Sequence, residues 1–285
     1  MPAPGWIEWT ELAATLAVFI PVAILIRRRI CSRRARERRL RTSFQAAETT
    51  VLDRDFPRWR DIPEELTARF SGITRVLIEE KNYEPCGGLE EVTEEMKLLI
   101  AAQAALTILG RRKQRFFPRL HSILVYPGAF RDPGRRSFGI DDEARGVLYG
   151  ESWETGSVVL SWDNVIAGAR NGDDGMNVVI HEFAHQLDQD NGAADGVPEL
   201  ETRDDYRRWS EVMERHYEEL VTAAKDPAQE PFLDPYGATH PCEFFAVASE
   251  AFFEDSLDLE YEHPLLYEEL SKFYGLDPAA WPFAS

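Results

Sequence analysis

Apolar residues recur at steps of three and four through Leu66, Phe70, Ile73, Val76 and Leu77. That spacing puts side chains on one face of a helix, and it predicts a helix from about residue 62 to a break at Cys86-Gly87-Gly88. A second helix is predicted from Thr93 to Leu109, closed by Gly110. It is apolar on nearly every side, so it belongs in the centre of the molecule. Residues 122–126, 146–150 and 157–162 are short apolar runs bounded by Gly, Pro and Ser, and read as strands, with a turn through Glu154-Thr155-Gly156 between the last two. Residues 131–145 read as a charged surface loop and 42–60 as a linker of sparse periodicity. Further helices are expected over 206–220, from Pro241 to Phe253, and over 264–274. The pattern describes an α+β domain, mainly helical with a small β-sheet.

The N-terminus departs from this pattern. Residues 12–26 carry no charge, Trp6 and Trp9 precede them, and nine arginines with one glutamate follow in 27–41. An apolar run with a tryptophan edge and a basic edge reads as a single-pass membrane anchor, with a peripheral helix lying on the membrane as the alternative. Fifteen residues span about 22 Å of a roughly 30 Å hydrocarbon core, so Trp9, Thr10 and snorkelling arginines complete it. The acids Glu8 and Glu11 before the run, where positive charge would be needed, argue against a cleaved signal peptide. The excess of arginine after it places that side in the cytoplasm. Two regions are therefore expected: an anchor with its basic juxtamembrane segment over 1–41, with membrane contact through residues 9–29, and a catalytic body over 42–285. With 44% apolar residues of which a good part are aromatic, the body has ample core material. The net charge of −18, with the arginines gathered at one end, leaves that body strongly acidic and argues against direct nucleic-acid binding. Three widely spaced cysteines, Cys31, Cys86 and Cys242, form neither a disulfide framework nor a Cys-x-x-Cys knuckle.

The chemistry sits in His181-Glu182-Phe183-Ala184-His185. Asp173 or Asp174 is the expected N-cap of its helix, and Asn191-Gly192 the stop. Two histidines four apart project from one helical face and can share a Zn²⁺, with Glu182 placed as general base toward a water polarised by it. A catalytic zinc needs a third protein ligand. The metzincin pattern is excluded, because Asn191 stands where its third histidine would be and Asp188 where its glycine would be. Glu243 lies within an apolar helix, where an unpaired carboxylate is costly, and is the first choice. Asp188, one turn beyond His185, is the second choice as ligand and reads better as an acceptor that orients an imidazole. His240 and His216 are lesser candidates, each read as a surface histidine. Glu243 and Glu250, seven apart, share a helix face. A strand at the edge of the small sheet offers main-chain pairing to an extended peptide.

The segments Leu124-Val125-Tyr126-Pro127-Gly128-Ala129-Phe130, Val159-Leu160-Ser161-Trp162, the stretch from Asn177 to Asp188, and Cys242-Glu243-Phe244-Phe245-Ala246-Val247 resemble the Mlc titration factor A family of zinc metallopeptidases. The similarity runs over about residues 56–275. The resemblance implies a zincin-like domain related to the catalytic domain of anthrax lethal factor, with one Zn²⁺ on His181, His185 and Glu243. It implies Glu182 as the catalytic base, and Tyr236 matches a family tyrosine placed to hydrogen-bond the oxyanion. It also implies a peptide or protein substrate or, as the alternative, capture of a cytoplasmic transcriptional regulator with little or no hydrolysis. Soluble members of that family lack a segment like residues 1–41.

Overall fold

The computed structural model describes residues 36–112, 115–128 and 156–282. The expected anchor, the strand over 146–150 and the loop over 131–145 lie outside the described residues. Among the described residues, no helix is long and apolar enough to cross a membrane.

The centre is α3 (Glu94–Leu109), started by the Thr93 side chain, which accepts from the Met96 amide at 3.3 Å. Every residue from Leu98 to Leu109 is buried, as its unbroken apolar composition requires. Helix α2 (Glu64–Glu80) packs along it. Between α2 and α3 runs a strand, β1 (Asn82–Pro85), that sequence reading does not pick out. It pairs in parallel with β2 (Ser122–Tyr126), which pairs in parallel with β3 (Ser157–Ser161). β2 is therefore central, and β1 and β3 are the edges among the described residues. Asn82 and Pro85 are poor strand formers, so β1 is held by its neighbour's backbone rather than by propensity.

Two other departures share a cause. The segment over 42–60, expected to be a linker, holds helix α1 (Ala46–Asp55) and a 3₁₀ turn (Pro57–Asp61). Only Val51, Leu52 and Asp55 of α1 are buried, so its periodicity is faint. Trp162, expected to end β3, begins a helix, α4 (Trp162–Arg170), that carries the chain from the sheet toward the metal helix. The packed body also begins before residue 42. Arg36 and Arg39 pair with Glu79 and Glu80 at the end of α2, and Leu40 lies against Gly72.

Further helices are α5 (Val178–Asp188), α6 (Arg203–Ala223), α7 (Pro241–Glu254), α8 (Ser256–Glu262) and α9 (Pro264–Tyr274). α5 is sandwiched between α3 and α7. Phe244, Phe245 and Phe252 on α7 are fully buried, each stabilising the domain by about 1.5–3 kcal/mol. Trp209, Phe245 and Phe273 interlock, tying α6 and α9 to α7.

Candidate metal centre

Helix α5 begins later than its acidic prelude indicates. Asp174 spends its side chain on the Met176 amide, at 3.0 Å, within a turn where Gly175 has φ +68. The cap is Asn177, whose Oδ1 accepts from the amides of Val179 and Ile180, both at 3.0 Å. Asn177 is itself gripped from behind: its Nδ2 donates to Gln103 of α3 and Glu254 of α7, each at 2.8 Å. The helix start is thereby fixed one turn before His181. Beyond Asp188 a single 3₁₀ turn runs to Gly192, which takes φ +100 and ends the element as expected.

His181 and His185 project side by side, with ring centroids 4.8 Å apart and Nε2 atoms 3.2 Å apart. Glu243, in the first turn of α7, places Oε2 3.2 Å from Nε2 of His181 and 3.3 Å from Nε2 of His185. All three side chains are buried. The three atoms form a nearly equilateral triangle. Ligand atoms about 2.0–2.1 Å from a tetrahedral ion lie roughly 3.3 Å from one another, so this triangle has the dimensions of one face of such a site. Two imidazoles and a carboxylate are also a donor set that suits zinc. These residues can hold a metal ion, and they fit it.

What orients the cluster is Glu250, one face-repeat along α7 from Glu243. Its Oε1 lies 2.7 Å from Nδ1 of His181, while its Oε2 accepts the Asn177 amide. With a proton held on Nδ1 by this carboxylate, Nε2 would turn its lone pair toward an ion in the triangle. Its spacing from Glu243 is visible in the sequence, but nothing there distinguishes orienting a ring from being a ligand.

Asp188 is fully buried at the end of α5. Its Oδ2 accepts the amide of Gly196 at 2.9 Å, and it stands outside the triangle. It is a loop anchor. Gly196 has φ +79, and a Cβ there would lie 2.5 Å from the carbonyl oxygen of Pro241. Its own carbonyl accepts from Trp209 Nε1 at 2.9 Å. Asp188, Gly196 and Pro241 thus clamp the end of α5 to the start of α7, which sets how far Glu243 stands from the imidazoles.

Tyr236 lies in a 3₁₀ turn (Pro235–Ala238), half-buried, its ring centroid 6.1 Å from that of His181. A Cβ on Gly237 would come within 3.1–3.4 Å of Leu220, Val247 and Phe244, so the missing side chain lets this turn lie close on α7. The lesser histidines are elsewhere. His240 caps α7 through Nδ1, at 3.3 Å from the Cys242 amide. His216 is buried rather than superficial and faces His263.

The electrostatics favour a cation. Burial opposes charge on the His181 ring, but Glu250 and Glu243 outweigh it and carry its pKa up to about 10. Burial would raise Glu243, yet the two imidazoles hold it well below the usual carboxylate range. Burial dominates at His185 and lowers it. Glu182 is pushed up to about 7 by burial, with Glu243 and Glu250 adding to the shift and His181 opposing it.

Fold and donor set together define a domain of the zinc metallopeptidase type. The chain belongs to the glucose-regulated metallo-peptidase M90 family, whose profile matches residues 31–275. It is 32% identical over 250 residues to Mlc titration factor A of Serratia proteamaculans, covering 84% of this chain and 92% of that one. The protein of that name from Yersinia enterocolitica is 31% identical over 233 residues, 79% of this chain and 84% of that one. A Synechocystis protein described only as uncharacterized protein slr2042 is 36% identical over 231 residues, 80% and 83% of the two chains. The resemblance read from the motifs is thereby established over residues 31–275.

Proposed function

We propose that this chain is a zinc-dependent peptidase that hydrolyses peptide bonds, held at the inner (cytoplasmic) membrane by residues 9–29 with its catalytic domain in the cytoplasm. The observation that carries the enzymatic part is the triangle of His181 Nε2, His185 Nε2 and Glu243 Oε2, 3.2–3.3 Å on a side, beside a buried Glu182. His181, His185 and Glu243 would hold Zn²⁺, which would supply a Lewis acid able to polarise a carbonyl and lower the pKa of water. Glu182 accepts a proton from the attacking water as its oxygen adds to the carbonyl carbon. It then passes that proton to the leaving nitrogen as the C–N bond breaks. The Tyr236 hydroxyl donates to the oxygen that gains charge in the tetrahedral intermediate. Glu250 keeps the Nδ1 proton of His181 throughout.

Glu182→Gln tests the base. It keeps the shape and the metal, and turnover of a cleavable peptide falls by roughly 10²–10⁴-fold, with zinc content unchanged. The wild-type pH profile follows from the same group. Glu182 works as a carboxylate, so activity is present above its pKa and lost as pH falls through it. A neighbouring cation favours the ionised form, so the acid limb of kcat/KM lies at or below about 7. Full turnover by the variant refutes the assignment.

A second reading is favoured by the name these relatives carry, Mlc titration factor A. In it the chain captures a cytoplasmic transcriptional regulator with little or no hydrolysis. Capture that survives His181→Ala, with no peptide cleaved by the wild type, selects this reading over the first.

A further inference from the structure

A second group of side chains able to hold a metal ion lies outside the site described above. His216 and Glu219 sit on α6, and His263 sits at the corner between α8 and α9. One ligand atom from each lies within 4.8 Å of the others. His216 Nδ1 is 2.9 Å from Glu219 Oε2, and the two imidazoles meet edge to face with centroids 5.2 Å apart. We propose that His216, Glu219 and His263 form a second binding site, for a borderline divalent ion of the zinc kind, bridging α6 to the α8–α9 corner.

The backbones are fixed in advance. His216 lies on the buried stripe of α6 that includes Trp209, Val212, Met213 and Leu220. The His263 amide closes α8 on Leu259 at 2.9 Å, its carbonyl accepts from Tyr267 at 3.0 Å, and Pro264 starts α9. The His263 ring is backed by Phe232, with centroids 5.8 Å apart. Its side chain makes no capping bond and is left for another use.

A plain core histidine accounts for this less well. His216 is only 9% exposed, yet its Nε2 has no hydrogen-bond partner. Buried polar atoms without partners are rare and costly. Either nitrogen of a neutral imidazole can take an ion while the other carries the proton. Burial also keeps both imidazoles below their ordinary pKa, against the pull of Glu219. The Glu219 side chain is 56% exposed, so its carboxylate can reorient toward an ion without disturbing the core. That exposure makes this the weaker of the two sites.

The test is a Zn²⁺ titration of the full chain, stripped of metal and followed by calorimetry. Wild type takes up two equivalents, one tight and one weaker. Loss of an outer partner of a metal ligand already costs roughly 10–100-fold in affinity, so losing a ligand in His263→Ala or Glu219→Gln weakens the second equivalent by at least about tenfold. Both variants leave the tight equivalent in place, and both sit where substitution spares the core. The double variant His181→Ala/His185→Ala shows the converse, losing the tight equivalent and keeping the weaker. A single equivalent in wild type, or a second one unchanged in His263→Ala, overturns the proposal.

Discussion

Glu243 and Glu250 sit on the same face of one buried helix, yet they meet His181 from opposite sides. Glu243 faces Nε2 at 3.2 Å and Glu250 faces Nδ1 at 2.7 Å. Each ring nitrogen needs a different partner, so the two acids are not interchangeable. Glu250→Gln offers an amide where a charged acceptor held the Nδ1 proton. Zinc affinity is expected to fall roughly 10–100-fold with the fold retained, as measured by competition against a chelator. An unchanged affinity removes Glu250 from the metal-orienting role. The histidine pair and its adjacent glutamate are legible in the sequence because one helical turn contains them all. Glu243 is legible because burial of a lone acid is costly. The orienting role of Glu250 is not, since it depends on which side of a ring a second helix passes. The contact of Asp188 with Gly196 is not legible for the same reason: it comes from a loop whose path no periodicity records.

Among the elements, the long and strongly patterned ones are those that sequence reading locates. α3 and α9 fall where expected because composition and caps agree. α1, β1 and the start of α4 do not, because tertiary contacts rather than propensity hold them. The N-cap of α5 is the instructive case. Asp173 and Asp174 are suitable cap residues, but Asn177 reaches two amides of its own helix as well as Gln103 and Glu254. The loop after α5 governs the relation between α5 and α7 through Gly196. Gly196→Ala forces a side chain into the left-handed region and against the Pro241 carbonyl. The conformational part alone costs about 1–2 kcal/mol, and the clash adds to it. A lower midpoint of denaturation together with weaker zinc binding is expected. Lower stability with undiminished zinc affinity would separate this clamp from the metal centre.

For the whole molecule, the acidic body and the arginine-rich entry segment are linked rather than separate. Arg36 and Arg39 are engaged by Glu79 and Glu80 on α2, so these two of the run's nine arginines are directed at the body. The arginines before them remain for anionic lipid in the proposed topology. A truncation that preserves the body should therefore start before Arg36, not at residue 42. The full chain is expected to sediment with membranes and to need detergent for release. The chain from residue 36 onward is expected to stay in the supernatant with zinc binding intact. Full-length protein recovered in the supernatant would remove the anchor from the account.

The claim on which the rest depends is that two rings on α5 and one carboxylate on α7 close on a single ion. Tightly held zinc per chain, measured by elemental analysis after dialysis against a weak chelator, tests it most directly. One equivalent is expected in wild type and in Glu182→Gln, and loss of that equivalent in Glu243→Ala with the helical fold retained. Zinc held as tightly by Glu243→Ala as by wild type, or no tightly held zinc in wild type at all, would contradict the account.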